Sequence, residues 1–386
     1  YQTVRYPLSG LVGNPKDLAT TYVHNQNYPD PAENANILTS NVKAWLDGTV
    51  KIKNDYGDNT PISDTFSVYS RYKISLDAPN YTVFSNKASM AQWIQERNGP
   101  PHYGVALEEG HNAIHLALGG FYQKDEANAN EISGANGDMG ENETTAFDPI
   151  FFLHHAFVDY VFWIWQRRHR ATARGSLTVD PKYDGTTSAG SPGFPKGMCL
   201  DMNSALEPFR KASGEYYTSE DVTDIEEIEG SLAYTYAPGS FDCFVDAGPA
   251  YQPASPLVAV MHIGQINRAD HEGSFVICTY AELPDGREVQ IGRESVLSRW
   301  HVRACANCLK NLEEHSFIAF DEALLEAMGL GPGGGGEDGH VGDPGARLKE
   351  MLRVEIHTRL ESETGVGFAP GTRPSIEMLG GSFGQG

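Results

Sequence analysis

The chain is short of cations: 29 Lys and Arg stand against 51 Asp and Glu, a formal net charge of −22. Nucleic-acid binding needs a basic footprint, and so does docking on anionic lipid, so no nucleic acid is expected as a partner and no membrane. Cysteine is scarce as well. Cys199, Cys243, Cys278, Cys305 and Cys308 are the five in 386 residues. An odd, low count argues against a disulfide framework and fits a reducing, cytoplasmic compartment. Two glycosylation-type triplets, Asn80-Tyr-Thr and Asn142-Glu-Thr, are too short a pattern to overturn that. Long apolar runs are also missing. The best, Ile150 to Trp165, contains His154, His155 and Asp159 and falls short of the roughly 20 residues of a membrane span. Tyr1 to Asn14 holds no apolar signal-peptide segment, and no repeat recurs at a fixed period.

What is present is enough for a core. Apolar residues make up 40% of the chain, which excludes wholesale disorder, and the length suggests two domains. The first 100 residues are rich in Asn, Pro, Tyr and Ser, with short helices expected over Ile37 to Leu46 and Ser89 to Arg97. A stronger helix, Ala106 to Leu118, stops at Gly119-Gly120. Asp148-Pro149 opens a long apolar helix, with Asp148 at the cap and Pro149 at the first helical position. That helix ends in Arg167-Arg168-His169-Arg170, where cations suit the negative end of the dipole. Between the two lies the Gly-, Asn- and Asp-rich loop Gly134 to Thr145. Residues 215–255 read as an acidic, Tyr-rich surface linker. Beyond them, Leu257–His262, Ser274–Tyr280, Glu288–Ile291, Ser316–Phe320 and Leu352–His357 are strand-like, with turn residues between them. Such runs predict an antiparallel β-sandwich or barrel over 256–386, with Gly329 to Gly345 as an inserted flexible loop.

Three of thirteen histidines have metal-ligand grammar. His111 and His115 are spaced i, i+4 and share one helix face. His154-His155 lies in the next strong helix and can complete a three-histidine site with open positions for oxygen or water. Neighbours on a helix point about 100° apart, so one of the two is expected to face the metal. The bland alternative is a pair of exposed histidines and a hydrogen-bonded core histidine. A zinc hydrolase is a weaker option, because no Glu stands inside the His111-x-x-x-His115 pair.

The strings His111-Asn-Ala-Ile-His115 with Gly119-Gly120, and Asp148-Pro-Ile-Phe-Phe-Leu-His-His-Ala-Phe-Val-Asp159, resemble the second copper half-site, CuB, of the type-3 copper proteins. That family includes tyrosinases, catechol oxidases and molluscan haemocyanins. Gly134-Ala-Asn-Gly-Asp-Met-Gly-Glu-Asn, Glu294-Ser-Val-Leu-Ser-Arg-Trp-His and Cys305-Ala-Asn-Cys308 are similar to intracellular fungal tyrosinases made as proenzymes with a C-terminal shielding domain.

The resemblance implies an α+β chain. A partial type-3 copper helical-bundle core with long loops would occupy 1–214, the linker 215–255, and a β-rich shielding domain 256–386. It implies copper as cofactor, with His111, His115 and His155 as CuB ligands and His154 beside them. It implies that Glu108, in preference to Glu109, and Asn112 hold a water and help deprotonate a phenol. Dioxygen and phenolic small molecules would be the reactants and o-quinones the products. Asp159 would anchor its helix, and Cys305 with Cys308 would handle copper. The CuA half-site, with its Pro-Trp-His-Arg-like string, has no counterpart in these residues. Tyr1 falls where the family's chain continues after CuA, so this chain is expected to be a C-terminal part that works with an N-terminal chain or segment carrying CuA. The alternative is a non-catalytic copper-binding or O2-carrier-like module, since carrier and oxidase share ligands. A homo-oligomer is left open.

Overall fold

The computed structural model describes residues 67–119, 138–190, 193–253, 255–271, 273–331, 344–358 and 373–381, together with Gln26. The helix expected over Ile37 to Leu46 lies outside them, as do parts of the loops at 134–145 and 329–345.

Short helices come first among the described residues, because polar caps divide the sequence. α1 spans Val68–Ser75, α2 Tyr81–Ser85 and α3 Lys87–Arg97. Ser67, Asn80 and Asn86 cap them in turn, each side-chain oxygen accepting a first-turn N–H. Asn98 closes α3 with a left-handed φ of 47°. α4 spans Leu107–Leu118, and its Glu109 side chain reaches back to accept the Ala106 N–H at 3.0 Å. α5 spans Ile150–Arg168. It begins one residue later than expected, with Asp148 accepting the Ile150 N–H at 3.0 Å across Pro149.

α5 is buried mainly along its second half, from Tyr160 to Gln166. The Trp165 ring stacks on Phe84 at 4.8 Å, and its indole N–H donates to the Ala78 carbonyl. The 215–255 stretch lies against the same helix. Tyr160 and Arg167 both bond to Asp242, Gln166 donates to the Thr223 carbonyl, and Arg168 donates to the Phe244 carbonyl. β1 (Ala205–Arg210), just before it, and β2 (Tyr216–Thr218), at its start, form a hairpin.

The C-terminal part is built from β3 (Leu257–Asn267), β4 (Phe275–Glu282), β5 (Glu288–Val296), β6 (Glu313–Asp321), β7 (Leu352–Thr358) and β8 (Ser375–Gly381). Among the described residues they make two antiparallel three-stranded sheets, ordered β6-β3-β8 and β5-β4-β7. Short helices α6 (Ala306–Lys310), α7 (Glu322–Ala327) and α8 (Pro344–Glu350) connect them. All five expected strands are present and longer at one or both ends, while β8 was not anticipated.

Strand alternation divides the core in two. Met261, Ile263, Phe275, Ile277 and Ala281 belong to a cluster shared by the two sheets. Their neighbours Val260, Val276, Cys278 and Tyr280 belong to the cluster built around the helices. A period of two thus buries β3 and β4 on both faces, which explains why they read as nearly continuous apolar runs.

Charges cross the same boundary. The buried Arg71 guanidinium donates to Glu109 at 2.7 Å and to Glu294 at 2.8 Å, and bonds the Arg293 carbonyl. Lys87 pairs with Glu294 at 2.6 Å and Glu314 at 3.3 Å, and Arg268 also pairs with Glu314. Burial alone would raise the Glu294 carboxyl, but Lys87 and Arg71 outweigh it and hold the group below its usual range. Burial and the facing Glu294 push Glu109 up to about 7.

A titratable pair sits nearby. The His262 and His315 ring nitrogens meet at 2.9 Å, with Gln95 of α3 at 3.3 Å from His262 and Glu377 of β8 at 4.0 Å. Burial, then His262, lowers His315 to about 4, with Lys87 adding to the effect against Glu313. The folded chain therefore binds fewer protons here than the unfolded chain between pH 6.5 and about 4. This contribution to stability is intact above pH 6.5 and declines as pH falls through that interval. Urea midpoints across the interval should fall less steeply for His315→Asn than for the parent; parallel slopes would refute the assignment.

Candidate metal centre

His111 and His115 project from one face of α4, and His154 and His155 from the first turns of α5. The ligand nitrogens of all four lie within 4.8 Å of one another, the only such group among the described residues. His115 Nε2 is 3.1 Å from His111 Nε2, and His111 Nε2 is 3.4 Å from His155 Nε2. Imidazole nitrogens about 2.0–2.1 Å from one tetrahedral ion would be about 3.3 Å apart, so these spacings fit a single metal.

The opposite nitrogens are committed elsewhere. His115 Nδ1–H donates to the Met139 carbonyl at 3.0 Å, an acceptor that can take only a protonated nitrogen. His111 Nδ1–H donates to the Asn112 side-chain oxygen at 2.9 Å. Both bonds fix the tautomer that leaves Nε2 with its lone pair turned to the cluster. Burial, then the charge a neighbouring imidazole would carry, lowers His115 to about 3 and His155 to about 4; burial also lowers His111. Near neutral pH the rings are uncharged, the form that binds metal.

The Met139 carbonyl reaches His115 because two backbones nearly touch. A Cβ on Gly119 would lie 2.4 Å from the Gly140 Cα and N. Gly119 itself has a right-handed φ of −70°, so close approach, not a left-handed turn, requires glycine here. This contact was not read from the sequence, since a backbone carbonyl leaves no residue-type signature; the Gly119-Gly120 and Gly140 glycines were the available hint.

The expected choice between His154 and His155 proves less exclusive than helix geometry suggested. Their backbones point apart, but two rotatable bonds bring both rings to the cluster. His155 has its Nε2 toward His111 and its face 4.1 Å from the Phe151 ring. His154 is buried, stacks on His111 at 5.0 Å, and has neither ring nitrogen in a well-formed hydrogen bond.

Asn112 is buried against His111, as its bond requires. The Glu108 carboxylate is half-buried, and its Oε2 accepts the Lys87 N–H of α3 at 2.9 Å. Glu109 faces Arg71 instead. Asp159 accepts the Tyr234 and Tyr236 hydroxyls, each at 2.6 Å, and so anchors α5 one turn after His155. Cys305 and Cys308 stand apart on α6, where the Cys305 Sγ accepts the Cys308 N–H at 3.3 Å. All five cysteines are free thiols. Burial acts to raise Cys305, yet hydrogen bonds from Cys308 outweigh it and hold the thiol low; burial pushes Cys308 up to about 11. No described helix is long and apolar enough to cross a membrane.

Neutral imidazoles converge from two facing helices into an all-histidine group that could hold a metal ion. The family model for the common central domain of tyrosinase matches residues 8–168. A tyrosinase of Hahella sp. is 44% identical over 330 residues, covering 83% of this chain and 58% of its own. A tyrosinase of Aspergillus oryzae is 38% identical over 348 residues, covering 83% and 61%. The solved structure of a Burkholderia thailandensis tyrosinase superposes with a TM-score of 0.69 at 35% identity, covering 97% of this chain and 70% of that one. The chain belongs to the tyrosinase family, whose members bind copper. It spans 58% and 61% of the two curated relatives.

Copper titration should separate the adjacent histidines. If His155 is the ligand and His154 its stacked support, His154→Ala weakens binding about 10–100-fold and His155→Ala weakens it more. The reverse order would exchange their roles.

Proposed function

We propose that this chain supplies the CuB half-site of a copper-dependent tyrosinase or catechol oxidase that converts phenols and catechols to o-quinones with dioxygen. The observation that carries the reading is the Nε2 convergence of His111, His115 and His155, with two of the three rings tautomer-locked from behind. Family membership supports copper over zinc, and an all-imidazole donor set suits it. When bound, copper supplies Lewis-acid and one-electron redox chemistry.

The protein's own residues hold and orient. Met139 and Asn112 fix His115 and His111, and Phe151 packs on His155. Glu108 is placed one turn before His111, with one oxygen held by the Lys87 N–H; the other is the proposed acceptor for a phenol proton. Glu108→Gln then lowers monophenol turnover by about 100-fold or more while copper stays bound. Unchanged turnover with a lower melting temperature would make Glu108 only the tie between α3 and α4.

The second half-site is proposed to come from an N-terminal chain or segment. Exposed Phe152 and Leu153, at 64% and 56%, flank His155 and offer it an apolar seat. We read 1–214 as the copper-binding part, 215–255 as linker and 256–386 as a β-sandwich or barrel that shields the site. The Glu294 and Glu314 ion pairs support that docking. The free thiols support a cytoplasmic setting, and Cys305 with Cys308 is proposed to pass copper inward.

A non-catalytic copper-binding or O2-carrier-like module is the second reading, favoured by the single histidine group among the described residues. Copper per chain and catechol oxidation after limited proteolysis distinguish the readings. One copper per chain and turnover only with an added CuA partner support the half-site. Turnover by these residues alone would overturn the divided site, and copper with no turnover alongside any CuA partner would favour the module.

A further inference from the structure

A cavity of about 440 Å3 lies between the start of α3 and the segment that leads into β1, and no site histidine lines it. Its apolar walls are Tyr81, Val179, Phe194, Leu200 and Met202. Several of its polar wall residues have their protons committed elsewhere. Thr186 Oγ1 donates to the Tyr183 carbonyl at 2.7 Å, and Ser188 Oγ donates to the Phe194 carbonyl at 3.0 Å. Ser204 Oγ donates to Asp201 Oδ1 at 3.3 Å. What these hydroxyls can still offer an occupant is lone pairs.

The one charged wall residue is Asp201. It is exposed, and its Oδ1 accepts the Asn203 N–H and the Ser204 hydroxyl. Among the described residues no Lys, Arg or His pairs with it, whereas nearby Asp180 and Asp221 each have a cation. At the other extreme, Ser89 is fully buried, and its Oγ has no hydrogen-bond partner. The cavity therefore joins an acceptor-rich, negatively charged rim to aromatic and aliphatic walls and an unpartnered hydroxyl.

We propose that this cavity binds a small organic monocation, a primary ammonium carried on an aromatic ring. The ammonium, which has three donors and no acceptor, sits on Asp201 and the hydroxyl lone pairs. The ring lies between Tyr81 and Phe194, and a cavity of this volume is in the usual range for such ligands. An anion would meet the Asp201 charge, with uncharged donors such as the Ser89 hydroxyl and the Asn86 amide but no Lys, Arg or His among the wall residues to offset it. This site is independent of the copper reading, because none of its walls belongs to the histidine cluster.

Isothermal titration of the full chain, stripped of metal, tests it with three probes of one shape: phenethylamine, 2-phenylethanol and 3-phenylpropanoate. The amine should saturate a single site and bind at least about tenfold more tightly than the alcohol, with the carboxylate weakest. Asp201→Asn, which keeps the acceptor for the Asn203 N–H, should bring the amine to the level of the alcohol. Ala205→Trp should block all three by filling the cavity; should that variant fail to fold, Asp201→Asn still decides. No saturable binding of the amine, equal binding of the carboxylate, indifference to Asp201→Asn, or binding confined to copper-loaded protein would each overturn the proposal.

Discussion

The buried Arg71 guanidinium is the constraint on which the arrangement turns. It lies on α1 and is sandwiched between Glu109 of α4 and Glu294 of β5. Taking such an ion out of water costs several kcal/mol, and stranding it by removing one partner costs about 3–5 kcal/mol. The helices and the sheets therefore satisfy the charge jointly. Lys87 and Arg268 extend the arrangement through Glu294 and Glu314, so three cations meet three carboxylates. The consequence for the metal centre is positional. Glu109 stands two residues before His111, and Glu108 ties α4 to the first residue of α3. The helix presenting two histidines is thus gripped at its N-terminal turn from α1, α3 and β5.

Its other end is gripped by shape. Gly119 lets the Gly140 backbone close in, which brings the Met139 carbonyl under His115. α5 is held separately, by the Asp159 carboxylate under two tyrosine hydroxyls and by Asp242 under Tyr160 and Arg167. Two of the imidazoles are therefore oriented by bonds to a backbone carbonyl and a side-chain amide oxygen, each of which accepts and so dictates where the proton on its partner must be.

Local signals carried a good part of this into the sequence. The helix with His111 and His115 was legible from its glycine stop. The one with His154 and His155 was legible from Asp148-Pro149 and its cationic end, and five strands from apolar runs between turns. β8 was missed because Ser375–Gly381 is short, glycine-terminated and polar at Glu377; only Ile376 and Met378 mark its buried face. The Arg71 pairing was illegible in kind. Its partners stand 38 and 223 residues away, and nothing in the composition near Arg71 distinguishes it from an exposed arginine. That both His154 and His155 rings reach the cluster was hidden for a related reason: backbone direction is a property of the helix, but ring position is set by rotamers that packing chooses.

The same distinction explains how one strand can serve two cores. In β3 and β4 the sequence pattern states only that both faces are apolar, and a run such as Phe275 to Cys278 would suit a strand inside any layered fold. Which face meets which partner is decided by register. Phe275 and Ile277 join the cluster between the sheets, while Val276 and Cys278 join the helical cluster. A slip of one residue would exchange the two sets, and it would also turn the Glu294 carboxylate of the paired β5 away from Arg71, since Ile277 is opposite Glu294. The apolar register and the buried ion pair therefore select the same alignment. That agreement of packing and charge is what specifies where the sheets sit against the helix carrying His111 and His115.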